Sequence, residues 1–255
     1  MHILVTNDDG VQAPGLLALA NALDGLGKIT VLAPDRNWTA SGHVKTLERP
    51  LRVRSVTLAD GRPALTTDGA PADCVALALL GVIPEPIDLI VSGINNGENI
   101  GQDLTYSGTV TAAMEAVIAG LPGIAVSQQR PPENGAEINF SAAAAAARLV
   151  VERFLHYGIP PGVLLNVNVP CLPEGKPRGI QITRQGLRIY RDELVKRLDP
   201  RDRPYYWIGG EAPTGVPEPG TDYGALAEGF ISVSPIQLDM TAYPVLETLR
   251  TWEWE

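Results

Sequence analysis

The chain has 255 residues, 45% of them hydrophobic, and 29 Asp and Glu against 20 Lys and Arg give a formal net charge of -9. With a mean hydropathy of +0.04 and a pI near 4.9, it has neither the low hydrophobicity of a disordered segment nor the clustered cations that a nucleic-acid polymer or a membrane surface needs. Cys74 and Cys171 stand apart without metal or disulfide spacing, residues 1–6 carry no signal-peptide pattern, and no run of about 20 apolar residues occurs, so a cytoplasmic protein with no membrane partner is expected.

The first element is the apolar run HILVT at 2–6, a buried strand, followed directly by NDDG and then by the helical pattern PGLLALANALDGLG. KITVLAP reads as a second strand and leads into the polar loop APDRNWTASGH. Further along come the helix PADCVALALLG, the strand in PIDLIVSG with its loop SGINNGENIG, the turn YSGT opening the helix TVTAAMEAVIAG, and the strand GIAVS. SAAAAAARLVVERFLHYG is helical by alanine propensity and stops at Gly158 before Pro160, and VLLNVNV is another buried strand. Short aliphatic runs alternating with helical periodicity predict an α/β fold built from βαβ units around a parallel sheet. From about residue 171 Pro and Gly multiply. There ITRQGLRIYRDELV and PYYWIGGE read as strands or a hairpin outside the main sheet, EAPTGVPEPGTDYG as loop, GFISVSPI as a strand and YPVLETLRTWEWE as a closing helix. The expectation is one domain, with a core over about 1–170 and an extension over about 171–255.

In open parallel sheets ligands bind beyond the carboxyl ends of the strands, and four unusual loops fall there: NDDG, APDRNWTASGH, SGINNGENIG and YSGT. Adjacent Asp8 and Asp9 repel unless a cation offsets them, and two hard carboxylates suit Mg²⁺ or Mn²⁺. The competing reading is an Asp-Gly turn with one Asp capping the next helix. Asn95 or Asn96 would add a neutral carbonyl oxygen, against a tight turn at Asn-Asn-Gly, and Thr39 or Ser41 would add a hydroxyl. Ser107, Gly108 and Thr109 open a helix with little bulk, which makes either an anion site for phosphate or a plain N-cap. Asp73 or Asp68 reads as a helix cap, and His43 as a surface or capping residue.

These motifs resemble the SurE (survival protein E) family of nucleotidases. The resemblance lies in NDDG with APG at 7–15, APDRN at 33–37, PADCVALAL at 71–79, SGINNGENIG at 92–101, YSGTVTAAMEA at 106–116 and the closing TDYGALAEGFISVSPIQLDMTAY. It implies a Rossmann-like three-layer fold with a C-terminal hairpin and tail, and homodimers or homotetramers formed through that tail. It also implies hydrolysis of nucleoside 5′- and 3′-monophosphates, with short polyphosphate as a further substrate. By motif match it places one divalent cation per subunit on Asp8, Asp9, Asn95 and, at the family's serine position, Thr39. Asn96, Ser107, Gly108 and Thr109 would then bind phosphate, with Asp8, Asp9 and Asn96 as catalytic candidates.

Two rival readings fall on single positions. ILVTNDDG also resembles the opening of a receiver domain, but Ser92 stands after DLIV, where a receiver needs the phosphate-accepting Asp. An aspartyl-phosphate phosphatase would space its carboxylates DxD, whereas here they are adjacent.

Overall fold

The computed structural model describes residues 1–131, 138–172 and 176–254. Its main sheet takes strands β1 (His2–Thr6), β2 (Lys28–Pro34), β3 (Val53–Thr57), β4 (Pro63–Thr67), β5 (Leu89–Asn96), β6 (Gly123–Gln128), β7 (Val163–Val169), β8 (Ile180–Ile182) and β11 (Ile231–Gln237). Their spatial order is β3-β4-β2-β1-β5-β6-β7-β11-β8. From β4 to β7 all neighbours are parallel, β3 runs antiparallel to β4 and β11 antiparallel to β7, and β8 lies parallel to β11. The remaining strands, β9 (Arg188–Leu198) and β10 (Pro204–Gly215), form a separate antiparallel hairpin.

Side chains alternate across the sheet and so build two cores from one set of strands. Ile3, Val5, Val31, Leu89, Val91, Ile124 and Val126 face helices α1 (Pro14–Leu23) and α4 (Ser141–Tyr157) on one side. The intervening Leu4, Leu32 and Ile90 face α2 (Pro71–Leu77) and α3 (Gly108–Ile118) on the other. The α4 helix buries Ala143, Ala146, Ala147, Val150 and Val151, the i, i+3, i+4 stripe of an amphipathic helix. It ends at Gly158, whose φ of 68° a residue with a side chain resists. Two short helices complete the chain, α5 (Asp222–Ala227) and α6 (Tyr243–Arg250), the latter with no buried residue.

The three-layer α/β architecture with a mostly parallel sheet and an appended hairpin agrees with expectation. The boundary near residue 171 does not. β11 pairs with β7, and β8 with β11, so residues 180–182 and 231–237 extend the main sheet and only β9 and β10 stand outside it. β8 has three residues, too few for a period to register. The β3–β4 pair over 53–67 is also new; its Arg, Ser, Thr and Pro content hides an edge of the sheet. Among the described residues no helix is long and apolar enough to cross a membrane.

Candidate active site

β1 lies between β2 and β5, and the chain leaves it through α1 on one face while α2 delivers β5 from the other. Loops at the carboxyl ends of β1 and β5 therefore part, which opens a crevice in a doubly wound sheet. A cleft of about 740 Å³ occupies it, with Asp8, Thr39, Asn95, Ser107, Arg130 and Arg188 in its wall.

The NDDG loop is locked from within. Asn7 Nδ2 donates to the Gly10 carbonyl at 3.0 Å and Asn7 Oδ1 accepts the Gly10 amide at 3.2 Å, while Gly10 itself turns at φ 104°. Neither aspartate caps α1: its N-cap is Ala13, with no side-chain bond, and Pro14 opens the helix. Gly15 matters for another reason, since a Cβ there would lie 2.1 Å from the Ile94 carbonyl oxygen; the bare position lets α1 press against β5.

Asp8 is 3% exposed and takes the Thr109 hydroxyl on Oδ1. Asp9 accepts the Asn96 amide on Oδ2 at 3.1 Å and Asn37 Nδ2 on Oδ1 at 3.2 Å. Burial pushes the Asp8 carboxyl up to about 6, against the Thr109 hydroxyl that draws it down, and the neighbouring Asp9 charge raises it further. Burial likewise raises Asp9, opposed by the Asn96 amide, the Arg130 charge and Asn37.

Asn95 and Asn96 end β5 opposite Ser127 and Gln128, after a bulge that adds one residue between Ser92 and Asn95. Gly93 makes this possible: its φ is 135°, and a Cβ would meet the Val126 carbonyl oxygen at 2.2 Å. The turn's positive φ falls on Gly97 rather than on either asparagine. Asn95 Nδ2 donates to the Gly97 carbonyl at 2.7 Å, which leaves its amide oxygen for another partner in the cleft.

Thr39 is exposed on the cleft wall, and its hydroxyl donates to Asn37 Oδ1 at 2.5 Å, so its lone pairs remain available. Ser41 does not line the cleft; its Oγ is buried without a partner among the described residues. Behind this loop, His43 Nε2 and Lys45 Nζ reach the buried Glu115 at 3.1 and 2.6 Å and tie the segment to α3.

Ser107 caps α3 by accepting the Val110 amide at 3.1 Å and also faces the cleft. Gly108 is where α3 meets Asp8, and a Cβ there would lie 2.7 Å from the Asp8 Cβ. Thr109 is fully buried and its hydroxyl donates to Asp8, which leaves its backbone amide in the first turn of α3. Asn96 works through its backbone amide on Asp9; its Oδ1 is buried and unpartnered among the described residues. Asp73 caps α2 through the Ala70 amide at 2.8 Å and also accepts Thr46. Asp68 instead receives Arg49 and the Arg52 amide.

Sequence reading missed Asn7, Asn37, Arg130 and Arg188. It also missed the buried Asn99, which binds Asn168 and Ser127 and so steadies the loop after β5. Asn7 was the most accessible of these, since an Asx residue three before a turn glycine is a local pattern. Asn37 joins the nearby Thr39 to the distant Asp9, and the others act on partners distant in the chain.

The donor set suits a hard cation. It offers the buried Asp8 carboxylate, the half-buried Asp9 carboxylate, an amide oxygen and a hydroxyl, all oxygen. Among the described residues no group of three or more His, Cys, Asp and Glu side chains could hold a metal, so a cation at Asp8 and Asp9 would need such neutral oxygens.

The Survival protein SurE family model matches residues 3–192. The chain is 54% identical over 255 residues to a protein of Chloroflexus aggregans named 5′-nucleotidase SurE, covering 100% of each. It is 53% identical to the protein of the same name from Herpetosiphon aurantiacus, covering 100% of this chain and 99% of that one. The crystal structure of the SurE protein from Aquifex aeolicus superposes with a TM-score of 0.81 at 41% identity, covering 98% of both chains.

Proposed function

The chain belongs to the SurE family, and from that premise we propose that it is a 5′-nucleotidase that uses one divalent cation per subunit, Mg²⁺ or Mn²⁺. Its substrates are nucleoside 5′- and 3′-monophosphates and, further, short polyphosphate. The observation that carries this reading is the adjacent pair of the buried Asp8 and the half-buried Asp9, whose hydrogen-bond donors, Thr109, Asn96 and Asn37, are all neutral. Burial raises both carboxyls and the Arg130 charge offsets it at Asp9, so the adjacent pair favours a cation.

Asp8, Asp9, Thr39 and Asn95 would hold that cation, which supplies Lewis-acid polarisation of a phosphoryl oxygen. Ser107 and the first-turn amides of α3 present donors to an anion at a helix N-terminus. Thr109 sets the Asp8 rotamer and keeps one carboxylate oxygen engaged. Asn37 positions both Asp9 and Thr39, so one amide side chain sets the spacing between two loops. In the overall reaction water adds to phosphorus and the nucleoside oxygen leaves with a proton.

The test is phosphate release from 5′- and 3′-nucleoside monophosphates and from tripolyphosphate, with Mg²⁺, Mn²⁺ and Co²⁺ each supplied. Release from the monophosphates is expected; none with any of these cations would overturn the reading. Gly108→Ala probes the junction of α3 with Asp8. Displacement of the helix start should lower kcat by about 100-fold while costing about 1–3 kcal/mol of stability. Rates beside urea midpoints check this, and an unchanged kcat would mean that α3 yields without disturbing Asp8.

Self-association to a homodimer or homotetramer belongs to the same proposal. The hairpin exposes Leu194, Tyr206, Trp207 and Ile208, at 70%, 53%, 64% and 81%, an apolar surface of the kind that marks an interface. Light scattering of the full chain should give a mass of two or four subunits.

A further inference from the structure

Two arginines stand in the cleft wall, and they are not equivalent. Arg188 is committed: its side chain is 7% exposed, its Nε lies 2.8 Å from Asp103 Oδ2, and Glu98 is 3.8 Å from its Nη2. Arg130 follows the end of β6 by two residues, on backbone tied down where the Gln129 amide donates to the Val169 carbonyl at 2.9 Å. Its Nε donates to the Asn96 carbonyl at 2.9 Å, and among the described residues its guanidinium has no carboxylate within ion-pair distance. That bond fixes the plane of the fork and leaves both Nη groups for another acceptor. Gly97 keeps the recess open, because a Cβ there would lie 3.0 Å from Arg130 Nε and 3.4 Å from Nη2.

The surrounding wall is acidic, with Asp8, Glu98 and Asp103 all lining the cleft. The Arg130 charge draws Asp9 down, yet among the described residues no carboxylate takes its Nη groups, so in such a wall the fork stands ready for an entering anion. Arg matches phosphate through two parallel N–H···O bonds, which a lysine cannot reproduce. We infer that Arg130 is a substrate-contacting residue whose Nη groups bind the phosphoryl oxygens, beside Ser107 and the start of α3. This rests on the nucleotidase reading for its substrate, and it adds a positive partner that none of the recognised motifs contains. The rival role is that Arg130 serves only to balance the nearby Asp9 charge.

Affinity measurements separate these roles. Inorganic phosphate is titrated by calorimetry into the full chain with Mn²⁺ present, and Mn²⁺ is titrated separately, for the parent protein, Arg130→Gln and Arg130→Lys. If Arg130 contacts phosphate, Arg130→Gln weakens phosphate binding by about 10- to 100-fold, the factor that corresponds to charge-assisted hydrogen bonds. Arg130→Lys then recovers only part of that loss, and Mn²⁺ binding is unchanged or tighter because a repelling charge has gone. If Arg130 only balances Asp9, Mn²⁺ binding alone changes. A phosphate affinity within twofold of the parent in Arg130→Gln overturns the inference. Arg130 is exposed, so both variants should fold, which an unchanged thermal midpoint verifies. A parent protein that binds phosphate through Arg130 yet hydrolyses no nucleotide would end the nucleotidase reading and leave this one standing.

Discussion

Asp8→Asn is expected to lower turnover by at least about 1000-fold, as for removal of a group central to transition-state charge, and yet to leave the cation-free protein more stable at pH 7. The two effects have one cause. Burial raises the Asp8 carboxyl from 3.8 to about 6 in the folded chain. Below pH 4 the group is protonated in both folded and unfolded states, and its contribution to stability is fully present. As pH rises through 6 that contribution is lost, because the unfolded chain ionises more easily. The loss amounts to about 3 kcal/mol above pH 7. Asparagine cannot ionise, and its amide oxygen can still accept the Thr109 hydroxyl. In EDTA, therefore, the variant should exceed the parent by up to that amount at pH 7, with the gap closing toward pH 4. Urea midpoints across this range check the sign. Parallel curves for the two proteins, or nucleotide hydrolysis at the parent rate, would remove Asp8 from the site.

Chelation is expected to take phosphate release below about one thousandth of the Mn²⁺-supplied rate, since the oxygen ligand set leaves phosphoryl charge unsupported without a cation. Adding Mn²⁺ back should restore the rate. It should also raise the thermal midpoint, because a cation that binds only the folded chain stabilises it by about 2.7 kcal/mol at 100 times its dissociation constant. Acid should weaken the cation. With Asp8 protonated below about pH 6, the proton and the cation compete, and half-saturating Mn²⁺ should rise roughly tenfold per pH unit further down. Titrations of rate and of midpoint against Mn²⁺ at pH 5.5, 6.5 and 7.5 measure this. Full activity in EDTA, or Mn²⁺ affinity independent of pH, would contradict the arrangement proposed for Asp8 and Asp9.

Periodicity over a few residues was enough for β1, α1, β5, α3 and α4, because alternation of side chains and the helical stripe are local properties of the chain. The hairpin of β9 and β10 was legible for the same reason. The adjacency of Asp8 and Asp9 was legible too, since like charges next to one another are a chemical oddity visible in one dimension. What the line of residues left open, the packing decided. Ala13 at the start of α1 excludes the capping role for the aspartates. Thr109 reaches Asp8 across 101 positions, which gives its hydroxyl to a carboxylate. Arg130 enters the cleft only because β6 lies beside β5 and Gly97 leaves it room. β8 and β11 complete the main sheet although the local character of the chain changes near residue 171. In the last three cases the partner lies on another element, brought near by the order of strands in the sheet. Local periods determine which segments become strands and helices; contacts between segments far apart in the chain determine which side chains share a site.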